Sequence, residues 1–236
     1  MNKSLLKNRD FYRINEYFYE IKQKSDQIDK LINSLSGIGD IIIVGGTIRD
    51  LLIKGETPRD IDLIIDTGVD LEIIFSEYNN CLKNRFGGYK LKIDNIEFDI
   101  WSIDNHWAFK EKILRKNISN LKYSTFLNFD ALFYNLSKQQ IDSDIFNQCI
   151  LNNMLEITLN EEFIDLNPSK EINILRMIII RDEWELILSN KCTNYIAKWI
   201  DTSKDYIYDL YEAQLKHYKY EKLSKDKIET LVLKSL

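Results

Sequence analysis

Proline is nearly absent from these 236 residues, at two, and glycine and histidine are sparse, at eight and two. So few chain breakers favour long helices. Two histidines, His106 and His217, are too few for a histidine-based metal site, and a Ser/His/Asp triad is not expected. The three cysteines, Cys81, Cys149 and Cys192, are widely spaced and form no Cys-x-x-Cys pair. They read as reduced thiols of a cytoplasmic protein without a zinc site. No apolar run reaches membrane-spanning length and the N-terminus does not read as a signal peptide, so no membrane partner is expected. Positive charge is not in excess either. The net charge of -5 gives no support to generic nucleic-acid affinity, although a local basic patch stays open. What remains, 44% hydrophobic residues with 12% aromatics, can build a sizeable core in one generous domain or a domain with a helical appendage.

The most informative stretch is 41–66. Residues 41–44 are a continuous β-branched run, as in a strand buried on both faces. Gly45-Gly46 breaks it. Residues 47–53 have helical spacing, with Ile48, Leu51 and Leu52 on one side, and Gly55 and Pro58 mark a loop. Residues 60–66 alternate, placing Asp60, Asp62, Ile64 and Asp66 on one face and Ile61, Leu63 and Ile65 on the other. A glycine pair at a helix start lets a phosphate approach the backbone, where free N–H groups favour negative charge. Arg49, one turn later, can add a phosphate contact. Two carboxylates two residues apart on a strand point the same way and can share a hard divalent cation such as Mg²⁺.

Gly45, Gly46, Arg49, Asp50, Leu52, Gly55, Asp60 and Asp62 together resemble the head-domain signature of bacterial-type (class II) CCA-adding enzymes and poly(A) polymerases, members of the DNA polymerase β-like nucleotidyltransferase superfamily. The resemblance implies an α+β fold: a mixed β-sheet flanked by helices, followed by a small α-helical C-terminal region. It implies a head domain with N-terminal helices over 1–158 and a helical, neck-like region over 159–236. It also implies transfer of NMP from an NTP to an acceptor hydroxyl, with Mg²⁺ or Mn²⁺ held by Asp60 and Asp62, and with Gly45, Gly46 and Arg49 cradling phosphates. Asp50 is expected to orient Arg49 or the turn. The family carries a third acidic residue on a later strand, and Asp99 matches its place, with Glu97 as the alternative.

Elsewhere, residues 1–36 have helical spacing, with Ser25 as a helix cap and Lys3, Lys7 and Arg9 solvated. Residues 71–78 read as a helix and 85–89 as a turn. Residues 90–93 and 96–101 form a hairpin around Asp94-Asn95, with Ile96, Phe98 and Ile100 on one face. The most basic stretch carries Lys110, Lys112, Arg115, Lys116 and Lys122, and reads as a solvated face or a phosphate contact. Residues 130–135 are similar to the family's Asn-Ala-Leu-Ala-Tyr-Asn, but the arginines that precede it there are absent here. Gln139-Gln140 turns a hairpin, and 144–152 is helical. Residues 169–187 form a helix capped by Ser169 that resembles the family's base-reading helix. Only Arg176 matches its motif, so Arg176 is the candidate base contact and base selection of the CCA-adding kind is not implied. Residues 191–236 read as two or three amphipathic helices, the last capped by Ser224. The tyrosines Tyr206, Tyr208, Tyr211, Tyr218 and Tyr220 serve either helix packing or base stacking.

Three functional readings follow. One is a nucleotidyltransferase acting on an acceptor other than standard CCA addition: an RNA end, a small molecule or a protein hydroxyl. The second is an RNA 3′-terminal (tRNA) nucleotidyltransferase. The third is an inactive nucleotide-binding module.

Overall fold

Three successive isoleucines, Ile41, Ile42 and Ile43, are fully buried in β1 (Asp40–Val44), and the rest of a seven-stranded sheet is laid out around them. The computed structural model describes residues 5–6, 11–84, 87–167 and 169–236. Lys3, Lys7, Arg9 and positions 85–86 of the expected turn lie outside them. By packing, Ser4–Ser124 with Asp130–Asn147 form one unit, and Thr125–Phe129 with Gln148–Leu236 form another.

The first unit begins with α1 (Tyr12–Lys24) and α2 (Asp26–Ile38), which pack on each other. Among the described residues of the expected 1–36 helical stretch, Leu5 and Leu6 are not helical. Ser25 separates the two helices and caps α2 by accepting from Ile28 N, while its hydroxyl donates to Asp94. After β1 come α3 (Gly46–Arg49), a wider π-helical turn over Asp50–Lys54, and β2 (Asp60–Asp66). The expected helix over 71–78 shrinks to α4 (Glu72–Phe75). The short edge strand β3 (Leu82–Lys83), which has no apolar alternation to announce it, follows. β4 (Tyr89–Ile93) and β5 (Ile96–Ser102) form the expected hairpin. Asp94 and Asn95 both have positive φ, 47° and 69°, as a two-residue turn matched to strand twist requires. Next are α5 (Trp107–Lys110), β6 (Phe133–Asn135), β7 (Gln140–Asp142) and α6 (Asp144–Leu151), whose last residues belong to the second unit.

The sheet order is β3-β4-β5-β2-β1-β6-β7. β2 and β5 run parallel, and every other neighbouring pair is antiparallel. Alternation sorts the two faces. Ile61, Leu63, Ile65, Phe98 and Ile100 are buried on one. On the other, Ile42, Ile64 and Phe133 are covered by Ile103, Phe109 and Leu121 from the segment after β5. Each such side chain contributes about 1.5–3 kcal/mol of burial. That cover stops short of the N-terminal half of β2, where the same face carries Asp60 and Asp62.

The second unit is mainly helical, with a small parallel pair, β8 (Met154–Leu155) and β9 (Ile187–Leu188). A single turn, α7 (Glu161–Ile164), precedes α8 (Lys170–Trp184), which buries Ile174, Leu175, Met177, Ile178 and Trp184. Ser169 stands at its start but makes no side-chain cap bond. α9 (Asn190–Thr202), α10 (Tyr206–Tyr218) and α11 (Lys225–Leu233) complete the unit, with Ser224 capping α11 through Lys227 N. Gln214 is fully buried in α10, and its amide accepts from Lys222 N and Leu223 N and donates to Leu223 O. Lys225 Nζ lies 5.1 Å from the ring centres of both Tyr208 and Tyr211, so those rings are engaged within the unit. Among the described residues, no helix is long and apolar enough to cross a membrane.

Candidate active site

Strand register brings the site together. β1 pairs with β2 so that Ile43 faces Leu63, which sets the Gly45-Gly46 turn level with the start of β2. Thr47 fastens the turn there: its hydroxyl donates to Asp60 O at 3.2 Å and accepts from Asp62 N at 3.4 Å. Sequence reading missed this residue, because a threonine at a helix start reads only as a cap. Gly45 has φ 52° and ψ -105°, a conformation costly for any residue with a Cβ. An added Cβ on Gly46 would meet nothing nearer than Arg49 Nη2 at 3.8 Å, so its outer side is open to an approaching group. The first-turn N–H groups of α3, as at any helix start, have no intrahelical acceptor.

Arg49 does not stand open in this turn. Its Nη1 donates to Asp130 Oδ1 at 2.7 Å, and the two side chains are only 13% and 18% exposed. A phosphate at Arg49 would share the guanidinium with Asp130. Asp50 does not orient Arg49 through its carboxylate, which pairs with Lys54 at 2.8 Å. Its carbonyl accepts from Gly55 N and Glu56 N and closes the turn.

On the other flank, the parallel register sets Asp62 beside Asp99 and Asp60 beside Glu97. β5 buries Phe98 and Ile100, which turns Asp99 and Glu97 toward the Asp60–Asp62 face. Asp99 is the more enclosed, with Glu97 exposed, and Asp99 directly adjoins Asp62. Among the described residues Asp62 makes no salt bridge, and burial followed by the charges of Asp60 and Asp99 pushes its carboxyl up to about 7. Burial also raises the Asp99 carboxyl, against the opposing pull of Lys90. Lys90 Nζ lies 3.0 Å from Asp99 Oδ2, while Asp99 Oδ1 is buried without a hydrogen-bond partner among the described residues. Asp60 Oδ2 is bonded to Arg59 at 2.6 Å.

Among the described residues, no three His, Cys, Asp or Glu groups are drawn in tightly enough to form a ready metal cage. The outer carboxylates pair with Arg59 and Lys90. The donor set still suits a hard divalent ion: oxygen only, an orphaned buried carboxylate oxygen, and a central aspartate whose ionisation its neighbours oppose. Trp101, two residues beyond Asp99 on the same face, lies against the backbone of Gly88; a Cβ at Gly88 would fall 2.0 Å from its Nε1. His106, whose imidazole burial pushes down to about 4, is neutral near pH 7.

Arg176 is on α8 in the second unit. In the basic stretch, Lys116 pairs with Asp104 and Lys122 with Asp142, while Lys110, Lys112 and Arg115 are exposed.

No protein-family model matches the sequence, and no curated protein matches it. Solved structures do. A CCA-adding enzyme in complex with ATP superposes with a TM-score of 0.57 at 18% identity, over 88% of this chain and 52% of that one. A Thermotoga maritima CCA-adding enzyme complexed with tRNA gives 0.57 at 18% identity, over 87% and 51%. A tRNA nucleotidyltransferase with a primer tRNA and an incoming ATP analogue gives 0.59 at 17% identity, over 87% and 59%. The chain therefore spans about half the length of the structures it matches. At these identities the likeness is one of fold: the mixed sheet and its helices are laid out as in the matched half of those CCA-adding enzymes, in keeping with the resemblance of the 45–62 stretch.

Proposed function

We propose that this chain is a metal-dependent nucleotidyltransferase that transfers NMP from an NTP to an acceptor hydroxyl and releases pyrophosphate. One observation carries the reading: register sets Asp60, Asp62 and Asp99 on one open face beside the Gly45-Gly46 turn, with the Asp62 charge opposed by its neighbours. In this reading 1–158 acts as the head and 159–236 as its helical appendage.

Asp60 and Asp62 would hold Mg²⁺ or Mn²⁺ jointly, and Asp99 would hold the ion nearer the acceptor. Bound divalent ions there supply charge neutralisation for the triphosphate and lower the acceptor hydroxyl's pKa. The Gly45-Gly46 turn and the first N–H groups of α3 bind the phosphates and align the α-phosphorus with the acceptor. Arg49, braced by Asp130, lends positive charge to the same end. Asp99, beside that position, receives the hydroxyl proton. Arg176 is proposed as a base contact on the resemblance of its helix alone.

The acceptor is proposed to be something other than a standard CCA end, since the family's paired arginines and most of its base-reading motif are absent. A second reading, an RNA 3′ end, draws support from the exposed Lys110, Lys112 and Arg115 and from solved neighbours complexed with tRNA. The test is incorporation of each α-labelled NTP with Mg²⁺ or Mn²⁺, offering RNA, deproteinised metabolites and the protein itself as acceptors. We expect label on one acceptor class, abolished in Asp60→Ala/Asp62→Ala. Nucleotide binding without transfer to any acceptor would point to the binding-module reading.

A further inference from the structure

The outer carboxylate of the site has a cation built beside it. Lys90 and Asp99 face each other across the β4–β5 ladder, so their side chains share the face that carries Asp62. The ammonium lies 3.0 Å from Asp99 Oδ2, and its field also reaches Asp62 and Asp60. The two partners differ in freedom: the Lys90 side chain is 62% exposed and that of Asp99 15%. Tyr89 and Leu91, on either side of Lys90, are buried and anchor the strand. The ammonium can therefore swing into water without disturbing the core, whereas Asp99 cannot leave. The Arg49–Asp130 pair, enclosed on both sides, has no such freedom.

We propose that Lys90 is a tethered counter-cation of the carboxylate site. Its ammonium neutralises Asp99 when no divalent ion is present and must be displaced when an ion takes that position. Lys90 is thus a positioning residue that acts mainly on the affinity of the ion held by Asp99 and, through its weaker field at Asp60 and Asp62, less on the ion those two share. An ion pair of this exposure is weak, so displacement by a doubly charged ion with several ligands is favourable. The pair still costs the incoming ion the attraction it replaces. The inference rests on the proposed function, because it takes these carboxylates to bind metal.

The test is a Mn²⁺ titration of the full chain at fixed pH and ionic strength, with free Mn²⁺ followed by its EPR signal. Asp99→Asn identifies the ion that depends on Asp99. In Lys90→Met that ion should bind about three- to tenfold more tightly, the range expected for removing one partly screened charge. In Lys90→Arg it should bind within about twofold of the parent, because the charge is retained. Circular dichroism checks folding, and Lys90→Gln replaces Lys90→Met if that variant does not fold. Unchanged or weaker binding in the uncharged variant, with Asp60- and Asp62-dependent binding intact, would overturn this inference alone. Mn²⁺ binding indifferent to Asp60→Asn and Asp62→Asn would remove the proposed function and this inference with it.

Discussion

Replacing Asp62 by asparagine should make the metal-free protein more stable, and only above mildly acidic pH. The carboxyl of Asp62 is pushed up to about 7 from an ordinary value of 3.8, first by burial and then by Asp60 and Asp99. Between these values the unfolded chain has released a proton that the folded chain retains, so stability falls as pH rises. The loss is absent below about pH 4 and complete above about pH 7. The rise from 3.8 to about 7, at about 1.4 kcal/mol per tenfold change in proton affinity, sets a ceiling of about 4 kcal/mol. Part of that is shared with Asp60 and Asp99, and some water reaches the side chain, so about 2 kcal/mol is expected. That corresponds to a Tm gain of about 4–8 °C for a chain of this size. Urea unfolding with a chelator from pH 4.5 to 8.5 measures the difference between Asp62→Asn and the parent. It should be about 0.5 kcal/mol at the acid end and reach about 2 kcal/mol at pH 8. Millimolar Mg²⁺ at pH 8 should narrow the gap by stabilising the parent alone. A variant less stable than the parent at pH 8, or one whose advantage does not change with pH, would refute the reasoning.

Other outcomes follow from the same geometry. Asp60→Ala and Asp99→Asn should each lower label incorporation by about 10²-fold or more while circular dichroism stays native, since neither side chain holds up the core. Asp130→Ala should cost about 2–3 kcal/mol in urea unfolding, because it removes the carboxylate paired with the enclosed Arg49 guanidinium. Gly45→Ala should cost about 1–3 kcal/mol and raise the KM for NTP, because no side chain sits easily at φ 52° and ψ -105°. Gln214→Leu should lower Tm by several degrees, because it removes three part-buried bonds to the 222–223 backbone, about 2–3 kcal/mol in all.

Where one residue spacing repeated without competition, the sequence was legible. Alternation placed β2 at Asp60–Asp66 as found, and the same rule put Asp99 on the site face by burying Phe98 and Ile100. The glycine turn was legible because only its residue type permits the backbone that Gly45 adopts. Partnerships across the chain were not. Nothing local says that Arg49 pairs with a carboxylate at Asp130 rather than with Asp50 beside it. Lys90 looked like any solvent-facing strand lysine until register set it opposite Asp99. Residue type did not reveal the widened turn at Asp50–Lys54 or the φ -115°, ψ 51° backbone at Ser169, whose side chain makes no cap bond. Gln214 was hidden for a related reason: a polar residue on an amphipathic helix reads as solvent-facing until the chain folds back onto it.

The Asp94–Asn95 turn has a consequence for substitutions far from the site. With Ile93 paired to Ile96, it fixes which residue of β4 faces Asp99, four positions and about 13 Å along the strand. Both turn residues occupy left-handed backbone that β-branched residues avoid. A substitution that drives the hairpin to a different loop length shifts the ladder. A slip of one residue sets Tyr89 or Leu91 against Asp99 and carries the lysines to the buried face. An exposed turn with no chemistry of its own thus acts as the reading frame of the hairpin, and errors made there are expressed at the carboxylates.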